Sequence, residues 1–264
     1  MFSRLDLSGA RAILTGASSG IGHALALRLA EQRVRLVLAS RNRERLDALA
    51  ATIRQRGGEA HVVATDVADA AQRAHLVETA VAALGGLDVL VNNAGVGARG
   101  PFAEATEDRL RRIFEVNFFS CTELTRLAIP HLHRGRNPTI VNISSILGKR
   151  GIPNMVEYCA SKFALQGWSE GLRAELALQG IDVLVVCPGT IETEFRERML
   201  EDRSGQRWRS RGMTADRCAA LIVSAMRARR NEIVVTAGAK VLAWLNRLAP
   251  RLVDWMMVRY ARPR

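Results

Sequence analysis

The sequence has few cysteines and no long uncharged stretch, and each of these absences argues against certain classes of protein. Its cysteines are scattered and form no Cys-x-x-Cys pair; they are Cys121, Cys159, Cys187 and Cys218. This pattern argues against a disulfide framework or a zinc site and favours a reducing compartment, so we expect a cytoplasmic protein without a metal ion. No uncharged run is long enough to cross a bilayer, and residues 1–6 lack the apolar segment of a secretory signal.

The chain also lacks internal boundaries. No linker rich in proline, glycine or serine divides the 264 residues and no repeat is evident, which predicts one domain over 1–264. The net charge of +12 would attract nucleic acid, anionic membranes or anionic ligands. Because the basic residues are nearly all arginine and are spread along the chain, an arginine-rich composition is the favoured explanation. No nucleic-acid recognition motif is present, and we expect no such partner.

Apolar runs alternate with helical segments along the chain. The runs are rich in Val, Ile and Leu and do not alternate with polar residues, which predicts strands buried on both faces. They occupy 12–14, 36–38, 61–63, 89–91, 140–141, 183–186 and 233–235, and helical periodicity covers 24–32, 44–56, 71–84 and 160–178. The alternation predicts an α/β fold, a doubly wound Rossmann-like parallel sheet of about seven strands with helices on both faces.

A glycine-rich loop, residues 15–22, follows the first predicted strand and opens the first helix. Its glycines let the backbone turn tightly and approach a diphosphate, and the helix start offers free N–H groups and a positive dipole. We predict that the cofactor contacts Gly16, Ser18, Ser19, Gly20, Ile21 and Gly22. A purely structural turn is the alternative.

The end of the second predicted strand indicates which dinucleotide binds. An NAD site carries an acidic residue about twenty residues past the glycines, where it binds the ribose hydroxyls. Here the chain has Ser40 and Arg41 instead. The guanidinium offers a charged fork for a 2′-phosphate and the serine can donate a hydroxyl, so we predict NADP(H) in preference to NAD. The alternative is a solvated arginine at a helix start.

The third and fourth predicted strands also end in candidate cofactor contacts. Asp66 and Val67 lie where an adenine would sit. Small residues in 92–95 permit close approach of a cofactor, and the asparagine amides there can bind ribose or brace neighbouring strands. The residues predicted to touch the cofactor in this second stretch are Asn93, Ala94 and Gly95.

Tyr158 and Lys162 are four residues apart, a spacing that puts both side chains on one face of a helix. A phenol near an ammonium group is easier to ionise, because the opposite charge favours the phenolate. The pair is therefore a candidate acid/base site, although such pairs also arise by chance on helix surfaces.

In this order and spacing the motifs resemble the single-domain short-chain dehydrogenase/reductase family, over residues 7 to about 193. The resemblance implies a catalytic set. Ser145, 13 residues before Tyr158, would hydrogen-bond a substrate carbonyl, and Tyr158 would donate or accept the proton. Lys162 would lower the tyrosine pKa and bind ribose hydroxyls of the cofactor, and Asn117 would hold a water near the lysine. Residue 19 departs from the family, because NADP-dependent members often carry Lys or Arg where this chain has Ser19.

The resemblance also implies features of the second half of the chain. Pro188 and Gly189 would open a loop under the nicotinamide, with Ile191 and Thr193 at its carboxamide. A homodimer or homotetramer would form through the helices that hold Asn117 and Tyr158. Residues 194–212 would form a substrate lid, whose arginines are Arg196, Arg198, Arg203, Arg207, Arg209 and Arg211. An anionic substrate such as an acyl-carrier thioester would suit them, although a solvated mobile loop is favoured.

The tail, residues 240–264, is an amphipathic extension interrupted at Pro250. Its apolar residues recur at helical spacing beside Trp244, Trp255 and several arginines. This composition suits a helix on a membrane surface, and equally one that packs on the substrate pocket or another subunit. We expect membrane association to be the less favoured of these.

These observations predict an NADP(H)-dependent oxidoreductase that moves hydride between the nicotinamide and a small carbonyl or alcohol substrate, with ketone or aldehyde reduction as the first expectation. A nucleotide-binding regulator or scaffold of the same fold, without turnover, is the alternative. A third interpretation is a peripheral membrane or nucleic-acid binder that acts through its charge. Substrate contacts come from loops whose shape the sequence does not determine.

Overall fold

A computed structural model describes residues 4–203 and 212–261. The strands in these ranges are β1 Arg11–Thr15, β2 Arg35–Ser40, β3 Ala60–Ala64, β4 Val89–Asn92, β5 Thr139–Ile143, β6 Asp182–Cys187, β7 Ile191–Glu192, β8 Met213–Thr214 and β9 Glu232–Val234. Seven of them form one parallel sheet in the order β3-β2-β1-β4-β5-β6-β9, while β7 and β8 pair separately. The predicted fold class is confirmed.

The helices in the same ranges are α1 Gly20–Glu31, α2 Arg43–Gln55, α3 Ala70–Leu84, α4 Glu107–Phe114, α5 Ser120–Leu132, α6 Val156–Ala177, α7 Ala215–Arg227, α8 Ala237–Leu248 and α9 Pro250–Ala261. Two helices begin four residues earlier than their periodicity indicated, α1 at Gly20 rather than Ala24 and α6 at Val156 rather than Ala160. The earlier starts place functional motifs in first turns, the glycine-rich loop at α1 and Tyr158 at α6.

The strands are apolar throughout because the sheet is covered on both faces. Successive side chains of a strand point to opposite faces. Leu14 and Leu38 accordingly pack in one core cluster, whereas Ile13 and Val37 pack in the other. Strand order reverses between β1 and β4, and in doubly wound sheets a ligand binds at this switch point, outside the carboxyl ends of the strands.

A single π-helical turn, Glu115–Phe119, joins α4 to α5. Such turns widen a helix by one residue and occur often at functional sites. Here the turn buries Val116 and Asn117. It directs the asparagine amide toward the segment after β4, because the side chain both accepts from Val96 N and donates to Val96 O.

Candidate active site

A cleft of about 620 Å³ lies at the switch point, over the carboxyl ends of the central strands. The cofactor contacts predicted from the sequence line it: Gly16, Ser18, Ser19, Gly20, Ile21, Gly22, Ser40, Arg41, Asp66, Val67, Asn93, Ala94, Gly95, Tyr158, Lys162, Pro188, Gly189, Ile191 and Thr193. Ser145 lines it as well. Asn117 is fully buried and is not part of the lining. The fold therefore brings the predicted site residues to one place.

The glycine-rich turn is held by Asn93. Its amide donates to the carbonyl oxygens of Thr15 at 2.9 Å and Gly16 at 3.1 Å. Gly16 has a φ of +65°, which favours glycine, and a Cβ added at Gly22 would lie 2.2 Å from the Gly16 oxygen. Ser19 starts α1 without capping it, so its side chain leaves the first amides of the helix to another acceptor. These features suit a diphosphate at the N-terminus of α1.

We expect Gly22→Ala to damage this turn. A methyl group cannot enter the 2.2 Å gap to Gly16 O, so the backbone must shift, at a cost of about 1–3 kcal/mol in unfolding free energy. Affinity for the dinucleotide should fall as well. Urea unfolding and a cofactor titration check both effects.

Gly171→Ala is the matched control, since Gly171 is an exposed residue of α6 and nothing lies within 4 Å of its added Cβ. This variant should be neutral or slightly more stable than wild type. Equal stability and equal cofactor affinity for wild type and Gly22→Ala would contradict the assignment of the turn.

The end of the cleft predicted to receive the adenosine is lined by several arginines. Burial alone would raise the pKa of Asp66, but hydrogen bonds from Ala68 N and Arg112 and the charges of Arg112 and Arg41 hold it below its ordinary value. Arg41 is exposed and faces the cleft mouth. Arg45, in the first turn of α2, also lines the cleft. The sequence reasoning missed Arg45 and Arg112, although the four-residue spacing from Arg41 to Arg45 could have indicated the first.

The segment predicted to form a lid contacts the glycine-rich loop. Arg198 donates to Ser19 Oγ at 2.6 Å and to Glu194 Oε2 at 2.5 Å, and Arg45 donates to the same carboxylate oxygen at 2.7 Å. The Phe195 ring packs against Tyr158 at an interplanar angle of 57°, with ring centroids 5.8 Å apart. Residues 194–203 thus span the cleft mouth from the diphosphate end to the tyrosine. The predicted lid residues Arg207, Arg209 and Arg211 lie outside the described ranges.

Tyr158 is buried at the inner end of the cleft, and Ser145 lines the same cleft near enough to the phenol to act on its pKa. Ser145 Oγ also accepts from Leu147 N at 3.1 Å, which fixes its position after β5. The neighbouring Ser144 instead donates to the carbonyl of Lys162 at 3.4 Å. The structure therefore places Ser145, rather than Ser144, beside the tyrosine.

The effect expected of Lys162 on the pKa of Tyr158 stays a prediction. The ammonium group lies 5.8 Å from the centroid of the phenol ring and donates to the Ile143 carbonyl at 2.9 Å. Burial raises the pKa of Tyr158 to about 12, and the nearby Ser145 hydroxyl offsets only part of this rise. Burial lowers the pKa of Lys162. Desolvation of the phenol therefore dominates, and the hydroxyl keeps its proton at neutral pH.

Asn117 lies buried behind the cleft lining and connects three segments of the site. Its amide donates to Val96 O at 2.9 Å and to Ser161 Oγ at 3.0 Å, which ties the π turn to the segment after β4 and to α6. A Cβ added at Gly95 would lie 3.3 Å from Asn117 Oδ1 and 3.7 Å from Lys162 Nζ, so the asparagine and the lysine converge on that glycine. The water-holding role implied for Asn117 stays a prediction.

A buried ion pair anchors the start of α6. Arg109 donates from Nε and Nη2 to Glu157 Oε1 at 3.0 and 2.6 Å, and its Nη1 bonds Glu201. Glu157 is 1% exposed and directly precedes Tyr158. The network therefore joins α4, α6 and the end of the 194–203 segment around the tyrosine. Sequence reasoning missed this network, because Glu157 and Glu201 are 48 and 92 residues from Arg109 along the chain.

Fold and cleft together define a dinucleotide-binding α/β protein with a tyrosine and a serine at the inner end of its site. A sequence model of the short chain dehydrogenase family matches residues 10–204. The chain belongs to the short-chain dehydrogenase/reductase family, whose oxidoreductases act on CH–OH or keto groups with a nicotinamide cofactor.

Similar proteins agree with this assignment. The chain is 31% identical over 255 residues to Ketoacyl reductase HetN of a Nostoc species, covering 94% of this chain and 88% of that one. A short-chain dehydrogenase/reductase from Burkholderia phymatum, solved in complex with NAD, has a TM-score of 0.86 and 28% identity, covering 94% of this chain and 96% of that one. A short chain dehydrogenase from Burkholderia cenocepacia, solved in complex with NADP, has a TM-score of 0.79 and 31% identity, covering 89% of this chain and 100% of that one.

Within residues 4–203 and 212–261, no helix combines the length and the apolar character needed to span a bilayer.

Proposed function

We propose that the protein is an NADP(H)-dependent reductase of ketone or aldehyde carbonyls. The observation that carries the proposal is that the buried Tyr158 and Ser145 line one cleft, together with the arginines at its other end. The similarity to a protein named a ketoacyl reductase supports a carbonyl substrate.

The residues present fit a dinucleotide. Glycine at positions 16 and 22 leaves the turn open to a diphosphate, and Gly95 leaves space beside Lys162 and Asn117. When bound, the reduced nicotinamide supplies the hydride. Lys162 uses one N–H on the Ile143 carbonyl, and an ammonium group has three, so its remaining donors are available for ribose hydroxyls.

The chain's own chemistry is proton donation. Ser145 Oγ lies next to the tyrosine hydroxyl, so the two can hold one carbonyl oxygen between them. Tyr158 retains its proton at neutral pH and donates it to that oxygen as the substrate is reduced. Phe195 covers the tyrosine from the lid side and limits the access of water.

We also propose roles for the surrounding parts of the chain. Residues 194–212 act as a substrate lid, since the described part reaches from Ser19 to Tyr158. Homo-oligomers form through α5 and α6. Phe119, directly before α5, and Phe163, within α6, are both exposed and could contact a second subunit. The protein works in the cytoplasm, a reducing compartment that suits four buried free cysteines.

The 2′-phosphate assignment predicts a change of cofactor preference. We expect Arg41→Asp to raise the Michaelis constant for NADPH by about 10- to 100-fold, because a charge-assisted hydrogen bond worth about 1.5–3 kcal/mol is replaced by repulsion. The constant for NADH should change little. Steady-state kinetics with each cofactor measure the ratio.

Arg43→Asp is the matched control, since this substitution makes the same change of charge two residues away from Arg41. Its guanidinium pairs with Asp47 at 3.5 Å on the exposed side of α2, and it does not line the cleft. An NADPH-to-NADH ratio that Arg41→Asp leaves at the wild-type value would refute the assignment.

A carbonyl panel tests the function itself. Purified protein with NADPH is offered ketones, aldehydes and 3-ketoacyl thioesters, and the loss of NADPH absorbance is followed. The reductase proposal predicts turnover of at least one carbonyl class and faster turnover with NADPH than with NADH. Tight NADPH binding without turnover of any class would support the regulator or scaffold instead.

A further inference from the structure

The C-terminal helix pair, α8 and α9 over residues 237–261, presents an apolar outer surface. On α8, Val241, Trp244 and Leu248 are spaced by three and four residues and therefore share one face. They are 58%, 64% and 73% exposed, while Ala239 on the opposite face is buried. A surface helix normally turns its polar residues to water and its apolar stripe to the core. This helix instead turns three large apolar residues outward, while Leu242 and Leu245 are half-buried.

The second helix of the pair continues the surface. Leu252, Trp255 and Val258 are exposed, whereas Val253 is completely buried. The two helices pack against each other, so their outward side chains belong to neighbouring stretches of surface. Exposed apolar residues in such a group indicate a binding surface.

Cations accompany the apolar residues. The pair contains Lys240, Arg247, Arg251 and Arg259, and its one acidic residue in sequence is Asp254. That carboxylate is paired with Arg150 at 2.7 Å, so the excess charge of the pair is positive. The Arg259 guanidinium lies 3.6 Å from the Trp255 ring centroid, and tryptophan beside a cation is typical of the interface between lipid and water.

The helix pair is fixed to the catalytic domain rather than loosely attached. Arg150 donates to Asn246 at 3.0 Å as well as to Asp254, and Asn246 donates to the Lys149 carbonyl at 3.2 Å. Residues 149 and 150 follow the loop that carries Ser145. The inner side of the pair, through Leu242 and Met257, borders a cavity of about 560 Å³ next to the active-site cleft.

We propose that the C-terminal helix pair docks on the surface of an anionic phospholipid bilayer. Val241, Trp244 and Leu248 enter the headgroup region, and the cations of the pair contact lipid phosphates. Charge complementarity selects this partner over a second copy of the chain, because a symmetric contact would set the same cations against each other. The proposal does not depend on the reductase activity.

Vesicle flotation tests it with the full-length protein. We expect the protein to float with phosphatidylcholine vesicles that contain phosphatidylglycerol, and to float far less with pure phosphatidylcholine. The double variant Trp244→Ser, Leu248→Ser should bind the anionic vesicles at least about tenfold more weakly. The charge variant Arg251→Glu, Arg259→Glu should also lose binding, and added salt should weaken the wild type.

Phe102→Ser with Leu178→Ser is the matched control, since it removes one exposed aromatic and one exposed leucine elsewhere on the surface. It should float like wild type. Circular dichroism and NADPH titration of each variant show whether the fold is intact. The proposal is overturned if the wild type does not float with anionic vesicles, or if the Trp244→Ser, Leu248→Ser variant floats as well as wild type. A lipid-free dimer that Leu248→Ser dissociates, without flotation of the wild type, would assign the surface to a second copy.

Discussion

Tyr158→Phe is expected to lower turnover by about a thousandfold while leaving the affinity for NADPH nearly unchanged, since general acid catalysis contributes about 10²- to 10⁴-fold. The substitution removes one oxygen atom, the one that would donate the proton. The ring stays, with its 5.8 Å packing against Phe195, so the lid contact survives. Steady-state kinetics on the carbonyl found in the panel, together with a fluorescence titration of NADPH, separate catalysis from binding.

The chain offers a matched control for this change in its second tyrosine, Tyr260. Tyr260→Phe removes the same oxygen from α9, outside the lining of the active-site cleft, and should turn over at close to the wild-type rate. If Tyr158→Phe retained wild-type turnover, the tyrosine would have no part in the proton transfer.

Arg109→Met is expected to lower the unfolding free energy by about 3–5 kcal/mol, the largest stability effect that we predict. Removing the guanidinium leaves the Glu157 carboxylate buried without its cation, at the position before Tyr158. The second oxygen of Glu157 already has no hydrogen-bond partner among the described residues, so no other group can take over. Urea unfolding measures the loss, and turnover should fall because the first turn of α6 is no longer held.

Arg111→Met provides the comparison, two residues further along α4. Its partner Glu107 and Arg111 itself are both exposed, and the loss of such a pair costs less than about 1 kcal/mol. The double variant Arg109→Met, Glu157→Met should regain part of the lost stability, because no buried charge then remains unpaired. Equal urea midpoints for Arg109→Met and wild type would show that the network does not stabilise the fold.

Much of the fold could be predicted because its signals are local. Each apolar run that predicted a strand is a strand of the central sheet, since burial on both faces leaves no polar alternation. The glycine-rich loop could be predicted for the same reason, because the tight turn is a property of Gly16 and Gly22 themselves. Pro250 correctly indicated a break in the tail, and it begins α9 there.

The rest of the site depends on contacts between distant residues. Arg198 reaches Ser19 across 179 residues, and Arg109 reaches Glu201 across 92. No periodicity or spacing encodes such pairs. The burial of Tyr158 could not be predicted for a related reason, because the helix spacing to Lys162 indicates proximity but not how far the phenol is removed from water.

A crystal structure of the protein with NADPH tests the central claim most directly. The account predicts that the diphosphate lies at the N-terminus of α1, the 2′-phosphate at Arg41, and the nicotinamide ring beside the Tyr158 hydroxyl. A ketone carbon placed about 3–3.5 Å from the nicotinamide C4 should then leave its oxygen within hydrogen-bond reach of that hydroxyl. A nicotinamide bound outside the cleft, or one separated from Tyr158 by the sheet, would contradict the account.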